Sequence, residues 1–346
     1  MQVDYIIVGL GLAGLAFAEE LAKHDKSFLI FEDYSQYSSF VAAGTYNPVV
    51  LKRFNAVWNV QEQLAYALPL YKKLEQRFGA TYDHQIDIHR IFTSVEEQNN
   101  WFIACDKPVL CDYMHPAVIQ NDNTAILAPF GFGKVCKTGW INTKTLLEDY
   151  RRYLFEAKQL VKERFEYDQV EFLENGVSYK NIRAKKVVFC EGFGMRKNPY
   201  FKELPMEEAK GELVTIKSSD LKLNAVLKGP VFVQPINKDL YKVGATFNWD
   251  DKTSNPTMAA QNELLSKLDT MIDAPYEVVA HEAGIRPTVK DRRPLVGIHK
   301  EHKQLAILNG LGTRGVLLGP SMAKELYNFL ECNSTLPKEI SIARFD

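Results

Sequence analysis

Several features that mark specialised classes of protein are missing from this chain of 346 residues. Basic residues are not in excess, with 42 Lys and Arg against 43 Asp and Glu, so a nucleic-acid partner is not expected. No apolar run approaches the roughly 18 residues needed to cross a bilayer, so no membrane partner is expected either. The N-terminus has no basic segment before an apolar one, which argues against a secretory signal.

Cysteine is scarce, and its spacing excludes two further classes. There are five cysteines, an odd number, and no two have the CxxC spacing of a redox motif. Clustered Cys and His ligands of the kind that hold zinc are also lacking, so no metal site is predicted. Reduced thiols are typical of a cytoplasmic protein, and the predicted localisation is cytoplasmic. The remaining composition is that of an ordinary globular protein, long enough for two domains.

A glycine-rich turn near the N-terminus gives the first positive signal. Buried strands are predicted at 5–8 and 28–31, with a helix between them. The three glycines of a GxGxxG pattern separate the first strand from the helix: Gly9, Gly11 and Gly14. They allow a tight turn, close approach of a pyrophosphate, and close packing of helix on strand. Glu32 lies 18 residues after the last glycine, near the roughly 20 expected of a ribose-binding acid.

A second turn of the same pattern lies at 310–315, again after a predicted strand and before a predicted helix. The chain ends about 30 residues later, which is too soon for a second nucleotide-binding unit. The helix that follows is therefore predicted to direct its N-terminus at an electron-rich ring oxygen of the first cofactor. A flavin carbonyl suits that position and a nicotinamide does not, so the sequence predicts FAD. The candidate cofactor contacts in this turn are Gly312, Thr313, Arg314 and Gly315.

The strand and helix patterns indicate two interleaved domains. The predicted fold is α/β, with a Rossmann-like FAD-binding domain formed by residues 1–50, 137–210 and 283–346. A second domain, with an antiparallel sheet formed by 51–136 and 211–282, is predicted to bind the substrate. Helices are predicted at 60–78, where Pro69 should kink or split the helix, at 143–154, from Pro256 to about 272, and at 321–330.

Four separated stretches together resemble the D-amino acid oxidase, glycine oxidase and sarcosine oxidase family of flavoproteins. They are 9–14 with Glu32; Val-Ala-Ala-Gly at 41–44, followed by Tyr46-Asn47-Pro48; Gly-Ile-Arg-Pro at 284–287; and 310–315 with Pro320. The second stretch is similar to the family's flavin-contacting loop, which implies contacts from Ala43 and Gly44. A weaker similarity at 187–192 implies that Gly192 lies near the adenine. The resemblance implies a D-amino acid oxidase-like fold with FAD as cofactor.

The resemblance also implies a substrate site centred on Arg286. In the family's amino acid oxidases, the arginine of the Gly-Ile/Leu-Arg-Pro motif pairs with the substrate carboxylate, and Arg286 holds that position here. A guanidinium is a planar, two-pronged donor that fixes a carboxylate and so directs the Cα–H toward the flavin. The alternative is a structural arginine bonded to loop carbonyls. Tyr46 is the second candidate catalytic residue, as a wall of the pocket, with aromatic core packing as its alternative.

One departure from the family concerns how the flavin is held. The sarcosine oxidases attach their flavin through a cysteine just before this motif, where the present chain reads Glu282-Ala283-Gly284, so the resemblance implies non-covalent FAD. The predicted enzyme is an FAD-dependent oxidase or dehydrogenase that oxidises the C–N bond of a small amino acid or secondary amine. Two alternatives stay open: an FAD-dependent 2-hydroxy-acid dehydrogenase, and an oxidase that modifies wobble uridine in tRNA, which the 310–315 turn resembles.

Overall fold

A computed structural model describes residues 1–345, which form seven α-helices and 20 β-strands. The helices are α1 (Leu12–Lys23), α2 (Ser38–Val41), α3 (Val60–Phe78), α4 (Val95–Cys105), α5 (Thr143–Glu156), α6 (Met258–Leu268) and α7 (Gly315–Glu331). The strands are β1 (Gln2–Val8), β2 (Phe28–Phe31), β3 (Thr45–Tyr46), β4 (Val49–Val50), β5 (Asn55–Ala56), β6 (Asp83–Gln85), β7 (Ile88–Ile91), β8 (Phe132–Val135), β9 (Gly139–Ile141), β10 (Leu160–Val161), β11 (Val170–Leu173), β12 (Gly176–Tyr179), β13 (Ile182–Phe189), β14 (Met206–Lys217), β15 (Val226–Lys228), β16 (Phe232–Asn237), β17 (Leu240–Gly244), β18 (Glu277–Val289), β19 (Leu295–Ile298) and β20 (Leu305–Asn309). None of the described helices combines the length and apolarity that a bilayer crossing requires.

The first sheet has eight strands and is parallel at its centre. Its order is β10–β2–β1–β13–β12–β11, and β20 also pairs with β13 and carries β19 beside it. The pairs formed by β1 with β2, β1 with β13, and β13 with β20 are all parallel. Parallel strands bring their carboxyl ends to one edge of the sheet, where ligands of such folds bind. Both glycine turns and Gly192 follow directly after strands that end at this edge.

The second sheet has seven strands, in the order β18–β14–β17–β16–β15–β7–β8. Its pairs are antiparallel except for β15 with β7. One face packs on an apolar core that includes residues of α6, among them Leu264 and Leu268. Side chains alternate along a strand, so Val214 and Ile216 enter that core while Leu213 lies on the other face. That other face borders a large cavity, described below.

Helix α3 runs unbroken through Pro69, where the sequence predicted a kink or a split. The proline removes one backbone donor, but the residues on both sides of it are held by packing. Tyr71 is fully buried, and its hydroxyl donates a hydrogen bond to the carbonyl of Val316, 2.8 Å away at the start of α7. Anchoring of this kind keeps the helix continuous despite the unfavourable residue, since tertiary packing supplies most helix stability in proteins.

The starts of two other helices differ from prediction. Helix α6 begins two residues after Pro256 because Thr257 takes the N-cap position, with its side chain accepting a hydrogen bond from the amide of Ala260 at 3.3 Å. Helix α7 begins directly after the second glycine turn, six residues earlier than the predicted 321. The apolar residues at 316–318 are buried as its first turn, and Pro320 is accommodated inside the helix.

We keep the two-domain division as a proposal, with two boundaries shifted. Strand β14 belongs to the second sheet over its whole length, from Met206. Its partner β18 stays paired with it as far as Val289. The ladder between these two strands is continuous, so boundaries near 205 and 290 suit the strand pairing better than 210 and 283.

Candidate functional site

A cavity of about 930 Å³ lies between the carboxyl edge of the first sheet and the open face of the second. Its volume is at the upper end of the range for sites that hold small molecules and cofactors. Ten of the residues predicted from the sequence line it: Gly9, Gly11, Glu32, Ala43, Gly44, Gly192, Arg286, Gly312, Thr313 and Gly315. Segments from the start, middle and end of the chain therefore converge on one space.

The first glycine turn forms the narrow end of the cavity. Gly9 has φ +96°, and a Cβ there would lie 2.6 Å from the carbonyl oxygen of Cys190. Gly11 is the N-cap of α1, and it lines the cavity with its backbone. Gly14 lies outside the lining, and a Cβ there would collide with the carbonyl of Gly9. The three glycines thus serve turn, ligand approach and helix–strand packing in turn, as the GxGxxG pattern predicts.

Glu32 stands at the end of β2, facing the same turn. Its carboxylate accepts hydrogen bonds from the amides of Leu10 at 2.5 Å and Tyr34 at 3.1 Å, and it pairs with Arg151 at 3.1 Å. Burial raises the pKa of Glu32, while the positive charge of Arg151 acts in the opposite direction. An acceptor fixed in this way beside the glycine turn suits the hydroxyls of a nucleotide ribose.

Two helices point their N-termini into the cavity without a side-chain cap. The first turns of α4, α5 and α6 are each capped by a side-chain oxygen, from Ser94, Asn142 and Thr257 respectively. The N-caps of α1 and α7 have no such bond, and both helices begin at residues that line the cavity. Backbone donors and the positive end of the helix dipole are therefore available to an anionic or electron-rich ligand.

The second glycine turn is bonded to two other lining segments. The amide of Gly312 donates a hydrogen bond to the carbonyl of Pro287 at 3.1 Å. The side-chain amide of Asn309 donates to the carbonyl of Gly192 at 2.9 Å. These bonds fix the positions of three stretches that are far apart in sequence, and they place the start of α7 next to the Gly-Ile-Arg-Pro segment of β18.

Arg286 occupies the end of the cavity bordered by the second sheet. Its guanidinium lies over Gly211, donates to the carbonyl of Thr246 at 3.1 Å, and stacks on the Phe247 ring at 4.2 Å. Burial lowers its pKa to about 10, so the side chain stays charged at neutral pH. It forms no ion pair with any residue of the described chain. A partly buried cation without a protein partner is suited to an anionic ligand.

Two predicted site residues do not reach the cavity. Tyr46 is 2% exposed, and its hydroxyl donates to Asp83 at 2.8 Å, because alternation along β3 turns Thr45 toward the cavity and Tyr46 away from it. Arg314 is the N-cap residue of α7, and its side chain is outside the cavity wall. We therefore assign no catalytic role to Tyr46 and no cofactor contact to the side chain of Arg314.

Sequence analysis missed several cavity residues on the second sheet and the loop after it. They are Leu213, Lys228, Phe232 and Phe247. Short strands such as β15 carry too few residues to show which face is buried, so no periodicity marked Lys228. The prominent signal for Phe247 is structural: the ring is 57% exposed at the cavity and lies against Arg286.

Glu191 provides a test of the electrostatics of the cavity wall. Its carboxyl is buried and accepts hydrogen bonds from the Tyr167 hydroxyl at 2.5 Å and the Asn198 side-chain amide at 2.7 Å. Burial is the largest influence and raises the pKa of Glu191 from 4.5 to about 7. The folded protein therefore keeps a proton here that the unfolded chain loses, and this group's contribution to stability declines as pH rises through that interval.

We expect Glu191→Gln to remove that pH dependence. The free energy of unfolding of the variant minus that of the wild type should increase by up to about 3 kcal/mol between pH 4.5 and 7. Urea denaturation with saturating cofactor at several pH values measures the difference, with the exposed Glu171→Gln as control. A difference that stays constant across this interval would mean that Glu191 is ionised throughout in the folded protein.

Comparison with known proteins agrees with this arrangement. Residues 4–328 match the family model described as FAD dependent oxidoreductase. The chain is 24% identical over 348 residues to glycine oxidase of Bacillus subtilis, covering 92% of this chain and 90% of that protein. It is 25% identical over 177 residues to the bifunctional tRNA 5-methylaminomethyl-2-thiouridine biosynthesis protein of Nitrosospira multiformis, covering 47% and 28%. The crystal structure of glycine oxidase from Bacillus cereus superposes with a TM-score of 0.78, at 22% identity and 96% coverage of both chains.

Proposed function

The chain belongs to the FAD dependent oxidoreductase family, and we propose that it oxidises the C–N bond of a small amino acid or secondary amine. The observation that carries the proposal is Arg286, a guanidinium without a protein ion-pair partner at the far end of the cavity from the glycine turn. A substrate carboxylate satisfies it. The similarity to glycine oxidase over nearly the whole chain supports the same substrate class.

The residues present suit FAD. The amides around Gly9 and Gly11 would hold the pyrophosphate, and Glu32 the adenosine ribose. The start of α7, with Gly312 and Thr313, would face the electron-rich edge of the flavin ring. Residue 283 is alanine, where covalent members of the family place a cysteine, so we propose that the cofactor is held without a covalent bond.

The protein's part in the reaction is binding and orientation. When bound, FAD supplies the redox chemistry by accepting a hydride from the substrate carbon. Arg286 fixes the carboxylate through two parallel hydrogen bonds, which leaves one orientation for the Cα–H. The ring of Phe247 covers the guanidinium at 4.2 Å and restricts water around it, which strengthens the ion pair formed with the substrate.

Anaerobic bleaching of the bound flavin tests this proposal. We expect at least one member of a panel of D- and L-amino acids and N-methyl amino acids to reduce the flavin, with loss of its visible absorbance. The matching 2-hydroxy acids serve as the control, since they keep the carboxylate and lack the nitrogen. Bleaching by hydroxy acids alone would contradict C–N oxidation and favour the 2-hydroxy-acid dehydrogenase.

A second candidate is oxidation of a modified nucleoside in tRNA. One structural observation favours it: two exposed aromatic rings, Phe247 and Trp249, lie 6.4 Å apart beside the cavity, where a base can stack. The partial match to the tRNA-modifying bifunctional protein points the same way. The balanced charge of the chain argues against tight tRNA binding. Flavin bleaching by unmodified free amino acids, with no tRNA retained on a filter, would decide against this candidate.

We also propose a cytoplasmic location. Its support is that all five cysteines are free thiols in the structure, as reducing compartments require. Cell fractionation with an antibody to the native protein tests the location directly.

A further inference from the structure

The floor of the cavity beyond the glycine turn is one row of the second sheet. Lys228 pairs with Phe232, Phe232 with Gly244, and Gly244 with Leu213, across four neighbouring strands. A Cβ on Gly244 would contact the Leu213 side chain and would lie 3.2 Å from the Phe232 ring. These two apolar side chains therefore meet above Gly244 and form a continuous apolar floor between Lys228 and the strand that carries Gly211.

A positive charge stands at each end of this floor. Arg286 is at one end, with its guanidinium over Gly211. Lys228 is at the other, partly buried, lining the cavity, with its ammonium leaning toward the Phe232 ring at 5.8 Å. Neither cation has a carboxylate within ion-pair distance among residues 1–345. The acid that lines this end of the cavity, Glu263, is already paired with Lys267 at 2.5 Å.

The surroundings of Lys228 do not neutralise it. On the strand beside it, Arg90 is the facing charge, and Arg90 is itself bonded to Glu97 at 2.9 Å. Burial first, and then the charge of Arg90, lower the pKa of Lys228 to about 8. The ammonium is therefore still protonated at neutral pH and incompletely solvated, a condition that an anionic ligand relieves.

We propose that the cavity selects an amino acid with a second acidic group at the end of an apolar side chain, bound by Lys228 while Arg286 holds the α-carboxylate. This deepens the proposed function and rests on it. Strands β15 and β14 are three steps apart, about 14 Å at roughly 4.8 Å per step, and both cationic side chains reach inward over the floor. The remaining gap suits a diacid of glutamate length better than one of aspartate length.

The test compares substrates that differ only in the second charge. With the holoenzyme and a dye as electron acceptor, kcat/KM is measured for glutamate against glutamine and for aspartate against asparagine, in both enantiomers. We expect the acid to exceed its amide by about 10- to 100-fold for the reactive enantiomer, with the larger ratio for glutamate. Lys228→Met should bring the ratio close to one while activity on the amide stays within about threefold. Lys222→Met, which removes an exposed lysine outside the cavity, should leave the ratio unchanged.

A binding measurement separates this inference from the proposed function. Glutarate and butyrate, which have no amine to oxidise, are titrated against the flavin absorption spectrum of the wild type, Lys228→Met and Lys228→Gln. We expect tighter binding of glutarate, lost in both variants and weakening above about pH 8 in the wild type as Lys228 loses its proton. Retained FAD absorbance shows that the variants are folded.

The outcomes divide as follows between the two hypotheses. Equal kcat/KM for acid and amide, together with equal binding of glutarate and butyrate, would overturn the second acidic subsite even if amino acids are oxidised. Lys228-dependent glutarate binding without flavin reduction by any amino acid would keep the subsite and overturn the proposed function.

Discussion

Replacement of Arg286 by alanine should lower kcat/KM on the preferred amino acid by roughly 30- to 5,000-fold, because a desolvated, charge-assisted carboxylate contact contributes about 2–5 kcal/mol. The bound flavin should keep its spectrum, since the only protein bond lost is the one to the carbonyl of Thr246. Steady-state kinetics on a fully flavinylated sample measure the first expectation, and absorbance measures the second.

Two further variants define how the arginine acts. Arg286→Lys should recover only part of the loss, because an ammonium keeps the charge but not the planar pair of donors. Arg183→Ala, on an exposed side of the first sheet, is the control for removing an arginine and should change kcat/KM by less than about twofold. Loss of FAD from Arg286→Ala would make the residue structural, and unchanged kcat/KM would place the carboxylate site elsewhere.

The second large effect is expected at Gly11. A valine there should weaken FAD binding by at least about 100-fold, or about 2.7 kcal/mol, because its side chain would project into the space that the pyrophosphate needs. The fold should tolerate the change. Gly11 has φ −91° and ψ −159°, an extended conformation that valine adopts readily, and its nearest protein neighbour is the movable Ser39 hydroxyl at 3.0 Å.

Gly14→Ala is the informative comparison for Gly11→Val. Its Cβ would collide with the backbone carbonyl of Gly9, which has no room to move without shifting α1 away from β1. This variant should therefore lose thermal stability as well as cofactor, whereas Gly11→Val should lose cofactor with a near-native far-ultraviolet circular dichroism spectrum. Normal FAD affinity in a folded Gly11→Val protein would remove the pyrophosphate from this turn.

Element prediction was most successful where the local sequence pattern was strong. The strand at 28–31 is β2, and the helix at 143–154 is α5 with two further residues. The helix starts near Thr257 and at Gly315 were misplaced, because a cap residue and the burial of the first turn determine where a helix begins. Continuity of α3 through Pro69 was also missed, since it depends on contacts with α7, more than 200 residues later in the chain.

The sequence by itself determined the cofactor end of this protein, because a glycine turn between strand and helix carries its own geometric requirements within a few residues. Gly9, Gly11 and Glu32 are recognisable for that reason, and all three line the cavity. The substrate end was decided by tertiary structure. Which face of a short strand borders the cavity depends on its partners in the sheet, so alternation turned Tyr46 inward to Asp83 and register brought Lys228 to the floor opposite Arg286.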